Sequence, residues 1–180
     1  MGGPATCSVS FSLFLENSAD LGGGLYGYGF VPTRAFAEVA NCTFVGNHGE
    51  FAGSAMAFKR TFLASIERCV VAFGTGGTAI TYEQPVQPYP SLVCYDVYGN
   101  EGGDWVDCIA DQYLVEGNFA DDPLFCYQEN LGLPYSLHQG SPCLPDGSPC
   151  GELIGAFDEG CGPVTPVENA SWGTLKAMFR

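Results

Sequence analysis

Positive charge is scarce in this chain. Six Lys and Arg stand against twenty Asp and Glu in 180 residues, a formal net charge of −14. A surface of that sign repels phosphates and anionic headgroups, which excludes nucleic acid and acidic membranes as partners. Polyanionic sugars are repelled in the same way unless cations bridge the two. Histidine is limited to His48 and His138, far apart, and none of the nine cysteines forms a C-x-x-C pair. The usual ingredients of a structural zinc site are therefore missing. No apolar run reaches the length of about 18 residues that a transmembrane helix needs. The start, Met1-Gly2-Gly3-Pro4, has neither a basic n-region nor an apolar h-region. If the protein is secreted, its targeting signal and further N-terminal coils are expected upstream. A sustained helical period of 3.6 is also lacking.

What the chain does have is turn residues among apolar ones: 25 Gly and 12 Pro within a composition that is 46% hydrophobic. That mixture suits many short strands joined by tight turns. The cysteines are Cys7, Cys42, Cys69, Cys94, Cys108, Cys126, Cys143, Cys150 and Cys161, and the last five crowd into the C-terminal part of the chain. Such density favours an oxidising compartment, hence a secreted or cell-surface protein. The odd count leaves at least one thiol outside any intrachain pair.

Four segments superimpose: Val9-Ser-Phe-Ser12-Leu-Phe14-Leu-Glu-Asn17, Val39-Ala-Asn-Cys42-Thr-Phe44-Val-Gly-Asn47, Ile66-Glu-Arg-Cys69-Val-Val71-Ala-Phe-Gly74 and Leu92-Val-Cys-Tyr95-Asp-Val97-Tyr-Gly-Asn100. Each is followed by a glycine-rich turn, as in Gly23-Gly24-Leu25 and Gly76-Gly77-Thr78. A unit of about 30 residues or fewer cannot bury its own apolar face, so the repeats must stack, each strand pairing with its counterpart about 4.8 Å along an axis. The expected architecture is all-β: a right-handed parallel β-helix with a disulfide-containing C-terminal cap and a short tail. The expected divisions are residues 1–106 for about four coils, 107–161 for the closing coil and cap, and 162–180 for linker and tail. Val39 and Ile66, and Phe44 and Val71, should lie on adjacent rungs of a narrow core. Asn17, Asn47 and Asn100 should sit where the chain bends, tolerating left-handed backbone and bonding a neighbouring coil.

Phe14-Leu-Glu-Asn17 and Phe44-Val-Gly-Asn47 resemble the F-x-x-N motif of polymorphic outer-membrane protein repeats, and Gly23-Gly24-Leu25 resembles their G-G-[AIL] motif. Those repeats belong to the pectate-lyase-like right-handed β-helix superfamily. The resemblance spans roughly residues 7–106 and implies an adhesin-like or carbohydrate-contacting module on the outside of a bacterial cell. Asp121-Asp-Pro-Leu-Phe125, Tyr135-Ser-Leu137, Ser141-Pro142 and Ile154-Gly-Ala156 are similar to the closing module of many bacterial β-helix repeat proteins, which ends the solenoid.

An exposed solenoid end needs covering, and cysteines can pin the cover. The preferred pairing is Cys94–Cys108, Cys126–Cys143 and Cys150–Cys161, although sequence alone leaves connectivity open. Cys94 precedes the inward Tyr95 and should face outward. Cys42 and Cys69 share one inward register and read as buried thiols, with an inter-coil disulfide as the alternative. Three chemical options remain. Asp104, Asp107 and Asp111, in a Gly-rich loop, are candidate Ca²⁺ ligands, with no other cofactor implied. Asp104, Asp107, Asp111, Asp121 and Asp122, with Arg60 and Arg68 as basic partners, are the groups available to a Ca²⁺-dependent polysaccharide lyase or a glycoside hydrolase whose active coils lie partly upstream. The Pro-rich loop from Tyr82 to Ser91, with Tyr82 and Tyr89 near its ends, is the candidate ligand loop for a polysaccharide or cell-surface glycan. The preferred reading is non-catalytic.

Overall fold

The computed structural model describes residues 5–29, 35–60, 62–83, 91–126 and 133–162. Tyr89 and the rest of the loop at 84–90, most of the 162–170 linker, and the 171–180 tail lie outside the described residues.

The short apolar segments form strands because each is bounded by a single residue that turns the chain. The first coil contains β1 (Ala5–Ser10), β2 (Leu13–Leu15), β3 (Ser18–Leu21) and β4 (Leu25–Gly29). The second repeats them as β5 (Ala35–Ala40), β6 (Thr43–Val45), β7 (His48–Ala52) and β8 (Met56–Arg60). The third has β9 (Phe62–Glu67), β10 (Val70–Ala72), β11 (Thr75–Gly76) and β12 (Ile80–Glu83); the fourth has β13 (Leu92–Val93) and β14 (Asp96–Tyr98). Like pairs with like, always parallel. This gives sheet A (β1-β5-β9-β13), sheet B (β2-β6-β10-β14), sheet C (β3-β7-β11) and sheet D (β4-β8-β12). The molecule is a parallel β-solenoid of about five turns.

The register places Val9, Val39, Ile66 and Leu92 in one column and Phe14, Phe44, Val71 and Val97 in another. Phe14 stacks on Phe44 with centroids 4.4 Å apart and planes 3° from parallel. Gly24 makes room for that pair, since a Cβ there would stand 2.7 Å from the Phe44 ring. With Leu25, Met56 and Ile80 these columns form the inner core.

The bends differ from the expectation. Asn17, Asn47 and Asn100 do not carry the left-handed turn. The residue before each does: Glu16 at φ 50°, Gly46 at 61° and Gly99 at 69°, with Phe73 at 58° in the coil between. A second column of turns runs through Phe11, Asn41, Arg68 and Cys94, at φ 46–55°. The asparagines clamp neighbouring coils. Asn47 Oδ1 accepts the Asn17 backbone N–H at 3.0 Å, and its amide donates to the Phe14 carbonyl at 2.8 Å. Asn100 repeats both bonds to Gly74 N and the Val71 carbonyl. In the third coil Gly74 replaces the asparagine because Ser54 Oγ would lie 2.3 Å from a Cβ there.

At the neighbouring corner the same clamp is built from other chemistry. Cys69 Sγ accepts Cys42 N–H at 3.4 Å and donates to the Val39 carbonyl at 3.8 Å. Asn118 makes the equivalent bonds to Tyr95 N and the Leu92 carbonyl, at 3.0 Å each.

The C-terminal third does two jobs. A short 3-10 helix, Asp107–Gln112, closes the last coil. Ile109 enters the inner core, Gln112 Oε1 accepts Leu92 N–H, and Trp105 Nε1 donates to the Phe119 carbonyl. Residues 119–126 and 133–162 then fold back as a strap along the outside of sheet B. The strap includes two strands, β15 (Leu137–His138) and β16 (Glu159–Cys161), paired in parallel. Gly155 N–H reaches the Arg68 carbonyl, Asn41 donates to the Leu153 carbonyl, and Ala156 N–H donates to Thr43 Oγ1. Outward Val45, Val70 and Ala72 thereby become the floor of a second core with Phe119, Phe125, Leu137, Leu144 and Ile154.

The expected disulfides are replaced by two others, Cys94–Cys150 and Cys126–Cys161. Folding back explains the change, because it brings strap residues distant in sequence to Cys94 and to one another. Cys94 is not on an open surface but under the strap. Closing loops of 56 and 35 residues stabilises by about 4 kcal/mol each in the chain-entropy model. Cys108 stays a thiol beside the Ile80 carbonyl, and Cys143 stays one beside Asp96. Cys42 and Cys69 are free and buried.

Candidate functional site

A solenoid offers its outer faces, and side chains on alternate strand positions decide their character. Sheet A presents Ser8, Glu38 and Ser65 in one exposed row. Sheet B is covered by the strap.

Sheet C carries a hydroxyl, an imidazole and a carboxylate in line. His48 Nδ1 lies 2.9 Å from Thr75 Oγ1, and Nε2 lies 3.3 Å from Glu50 Oε2. Both flanks are open, with the His48 and Glu50 side chains 39% and 61% exposed. The neighbouring Gly76 N–H is bonded to Glu101 Oε2 and is not free to serve a developing oxyanion. The row is a polar inter-coil ladder rather than an acyl-transfer centre.

Sheet D is different. Tyr26 and Tyr28, two apart on β4, point to the same side, with centroids 6.4 Å apart. Tyr26 is 43% exposed. One coil along, Ala57 pairs with Tyr26 and Lys59 pairs with Tyr28. The Arg60 guanidinium lies 5.4 Å from the Tyr28 ring centroid, within cation–π range. Lys59, Arg60 and Arg68 are the cations among the described residues. Arg68 is occupied by Glu67 at 2.6 Å and Asn41 at 3.1 Å. Two of the three described cations of a strongly acidic protein thus share one face with two tyrosines. The small Ala57 keeps the centre flat. The sequence signal is Tyr-x-Tyr on one strand with Lys-Arg in the matching strand of the next coil, invisible until the register is known.

The other sequence candidates fare less well. Arg60 ends β8 on sheet D, whereas Arg68 sits in the turn between β9 and β10. Tyr82 is buried in the inner core against Phe58, centroids 5.6 Å apart, and burial pushes its hydroxyl pKa up to about 12. Asp104, Asp107 and Asp111 are not brought together. Among the described residues no trio of His, Cys, Asp or Glu side chains could hold a metal ion. Asp104 instead caps a turn, accepting from Gly99 N, Asn100 N and the Asn100 amide. Asp107 and Asp111 sit on the 3-10 helix that follows. Asp122 accepts Leu124 N–H in a two-residue turn.

Three buried titrating groups, Asp96, Cys42 and Cys69, belong to packing. Asp96 is fully buried beneath the strap, accepting Asp121 N–H at 3.2 Å and the Cys143 thiol at 3.3 Å. Burial raises its pKa from 3.8 to about 8. Burial likewise pushes the Cys69 thiol up, while its hydrogen bond to Cys42 lowers that neighbour to about 7.

No family model, curated protein or solved structure matches the chain.

Proposed function

We propose that this chain is a non-catalytic β-solenoid module of a secreted or cell-surface bacterial protein that contacts glycans through the outer face of sheet D. The observation that carries the reading is the meeting of Tyr26, Tyr28, Lys59 and Arg60 on one in-register surface. Tyrosine rings offer flat apolar area with a polar tip, suited to the faces and hydroxyls of sugar rings. The adjacent Arg60 guanidinium favours sugars bearing a carboxylate or sulfate, while the acidic remainder of the surface limits contact to this patch. The F-x-x-N and G-G-x resemblance to outer-membrane adhesin repeats and the two disulfides support an extracellular setting.

The test is an array of neutral, uronate-bearing and sulfated oligosaccharides, probed with the wild type, Tyr26→Ala, and a Lys59→Ser/Arg60→Ser double variant. Binding should favour the acidic glycans. It should fall roughly 5- to 50-fold in each variant, the loss of one stacking or charged contact. It should also weaken as salt rises. Equal binding by all three proteins would remove sheet D as the contact. New reducing ends or unsaturated sugars produced on incubation would show that the module is catalytic after all.

A further inference from the structure

We infer that the hollow where the strap meets the third coil is a second binding site, for one neutral pyranose ring. It has a volume of about 240 Å³ and is lined by Phe73, Asp122, Leu124, Phe125 and His138. That is below the roughly 300–1,000 Å³ of sites for drug-sized ligands, which limits the occupant to a single ring.

The wall chemistry narrows it further. Phe73 and Phe125 meet nearly edge to face, at 72° with centroids 6.4 Å apart, and form an apolar corner. The aromatic row continues on both sides, Tyr98 against Phe73 and Tyr135 against Phe125, so the corner is braced. The same lining holds one acceptor and one donor. Asp122 spends Oδ1 on the Leu124 N–H, and its Oδ2 has no partner among the described residues. His138 Nδ1 accepts the Gly140 N–H, so the neutral ring carries its proton on Nε2. A sugar hydroxyl both donates and accepts, and therefore satisfies carboxylate and imidazole together. The C–H face of the same ring covers the phenyl corner. An anionic sugar is repelled by Asp122 and its neighbour Asp121, and a bare ammonium gives Nε2–H nothing to bond. Leu124, in the lining, holds φ at +53° although it is 39% exposed. A branched residue keeps such a backbone at a cost, and such costs collect at binding sites.

This site is separate from sheet D and uses none of its residues. The experiment is saturation-transfer NMR on the full chain with free neutral hexoses and N-acetylhexosamines, with glucuronate and an aliphatic amine as controls. A ligand of this size should bind with a dissociation constant of roughly 1–10 mM. Asp122→Asn keeps the Oδ1 acceptor for the turn but turns the other oxygen into a donor. His138→Asn keeps an acceptor for Gly140 but removes the reach of Nε2. Leu124→Trp fills the space. Each should weaken the saturable signal at least 5-fold without moving the melting temperature by more than a few degrees, and Lys59→Ser/Arg60→Ser should leave it unchanged. Absence of a saturable signal with every neutral sugar, tighter binding of glucuronate or the amine, or full binding by all three pocket variants would overturn the inference. Failure here leaves the sheet D reading standing, and loss of sheet D binding leaves this one standing.

Discussion

Replacing Asp96 by Asn should make the protein more stable at pH 8 and remove most of its loss of stability between pH 5 and pH 8. Asp96 is fully buried between sheet B and the strap, with Asp104 and Asp121 adding negative charge nearby. Burial sets its folded pKa at about 8 against 3.8 for a free carboxyl. The raised value means that the folded state holds the proton where the unfolded chain has released it. Stability is therefore greatest below pH 4 as far as this group is concerned, and falls as pH rises towards 8. The slope is about 1.4 kcal/mol per pH unit across that window. Between pH 5 and pH 8 the loss amounts to about 4 kcal/mol, or roughly 10 °C of melting temperature for a chain of this size. The amide that Asp96→Asn introduces can still accept the Asp121 N–H and offers its own N–H to Cys143, so the geometry survives without the titration. The assay is thermal and urea unfolding of both proteins at pH 5, 6, 7 and 8. General repulsion from the net charge of −14 acts on both, so the difference between them isolates Asp96. Parallel curves for the two proteins would refute the assignment of a protonated, buried Asp96.

The clamps and the thiols give further tests. Asn47→Ala strands the Asn17 N–H and the Phe14 carbonyl and should cost about 3 kcal/mol in urea unfolding, whereas Asn17→Ala, on an exposed residue, should cost under about 1 kcal/mol. Gly74→Ala should destabilise by about 2 kcal/mol or more through contact with Ser54, and Ser54→Gly in the same chain should recover most of it, a coupling that a double-mutant cycle would register. Without reductant, alkylation of the native protein should modify Cys7 first and Cys108 slowly. Denaturation should reveal five thiols in all, with Cys94, Cys126, Cys150 and Cys161 protected; peptide mass spectrometry reads this directly.

The coils and their register were legible in the sequence because two core columns are enforced by repeated apolar residues three before and two after Ser12, Cys42, Cys69 and Tyr95. The turns were harder to see. Phe11, Arg68, Phe73 and Cys94 adopt left-handed backbone with no local signal, since the stack rather than residue preference holds them there. The strap's location was hidden too, though a clue existed. Thr43-Phe-Val45 and Val70-Val-Ala72 are buried on both faces, the mark of a sheet covered on both sides. Spacing along the chain favours disulfides between sequence neighbours, whereas the strap over sheet B joins distant cysteines. The Tyr-x-Tyr spacing of Tyr26 and Tyr28 is visible along the chain, but Lys59 and Arg60 join them only once β4 and β8 are laid side by side.

The faces of the solenoid all depend on rungs that stack in register, and cross-linking measures that directly. In sheet A, Ser8 pairs with Glu38 and both face outward. A Ser8→Cys/Glu38→Cys variant should form a disulfide between those positions on mild oxidation, seen as a single linked peptide pair. Ser8→Cys/Ala37→Cys, one residue out of step and on opposite faces, should not. Linking of the second pair in place of the first would contradict the stacked coil and every surface built on it.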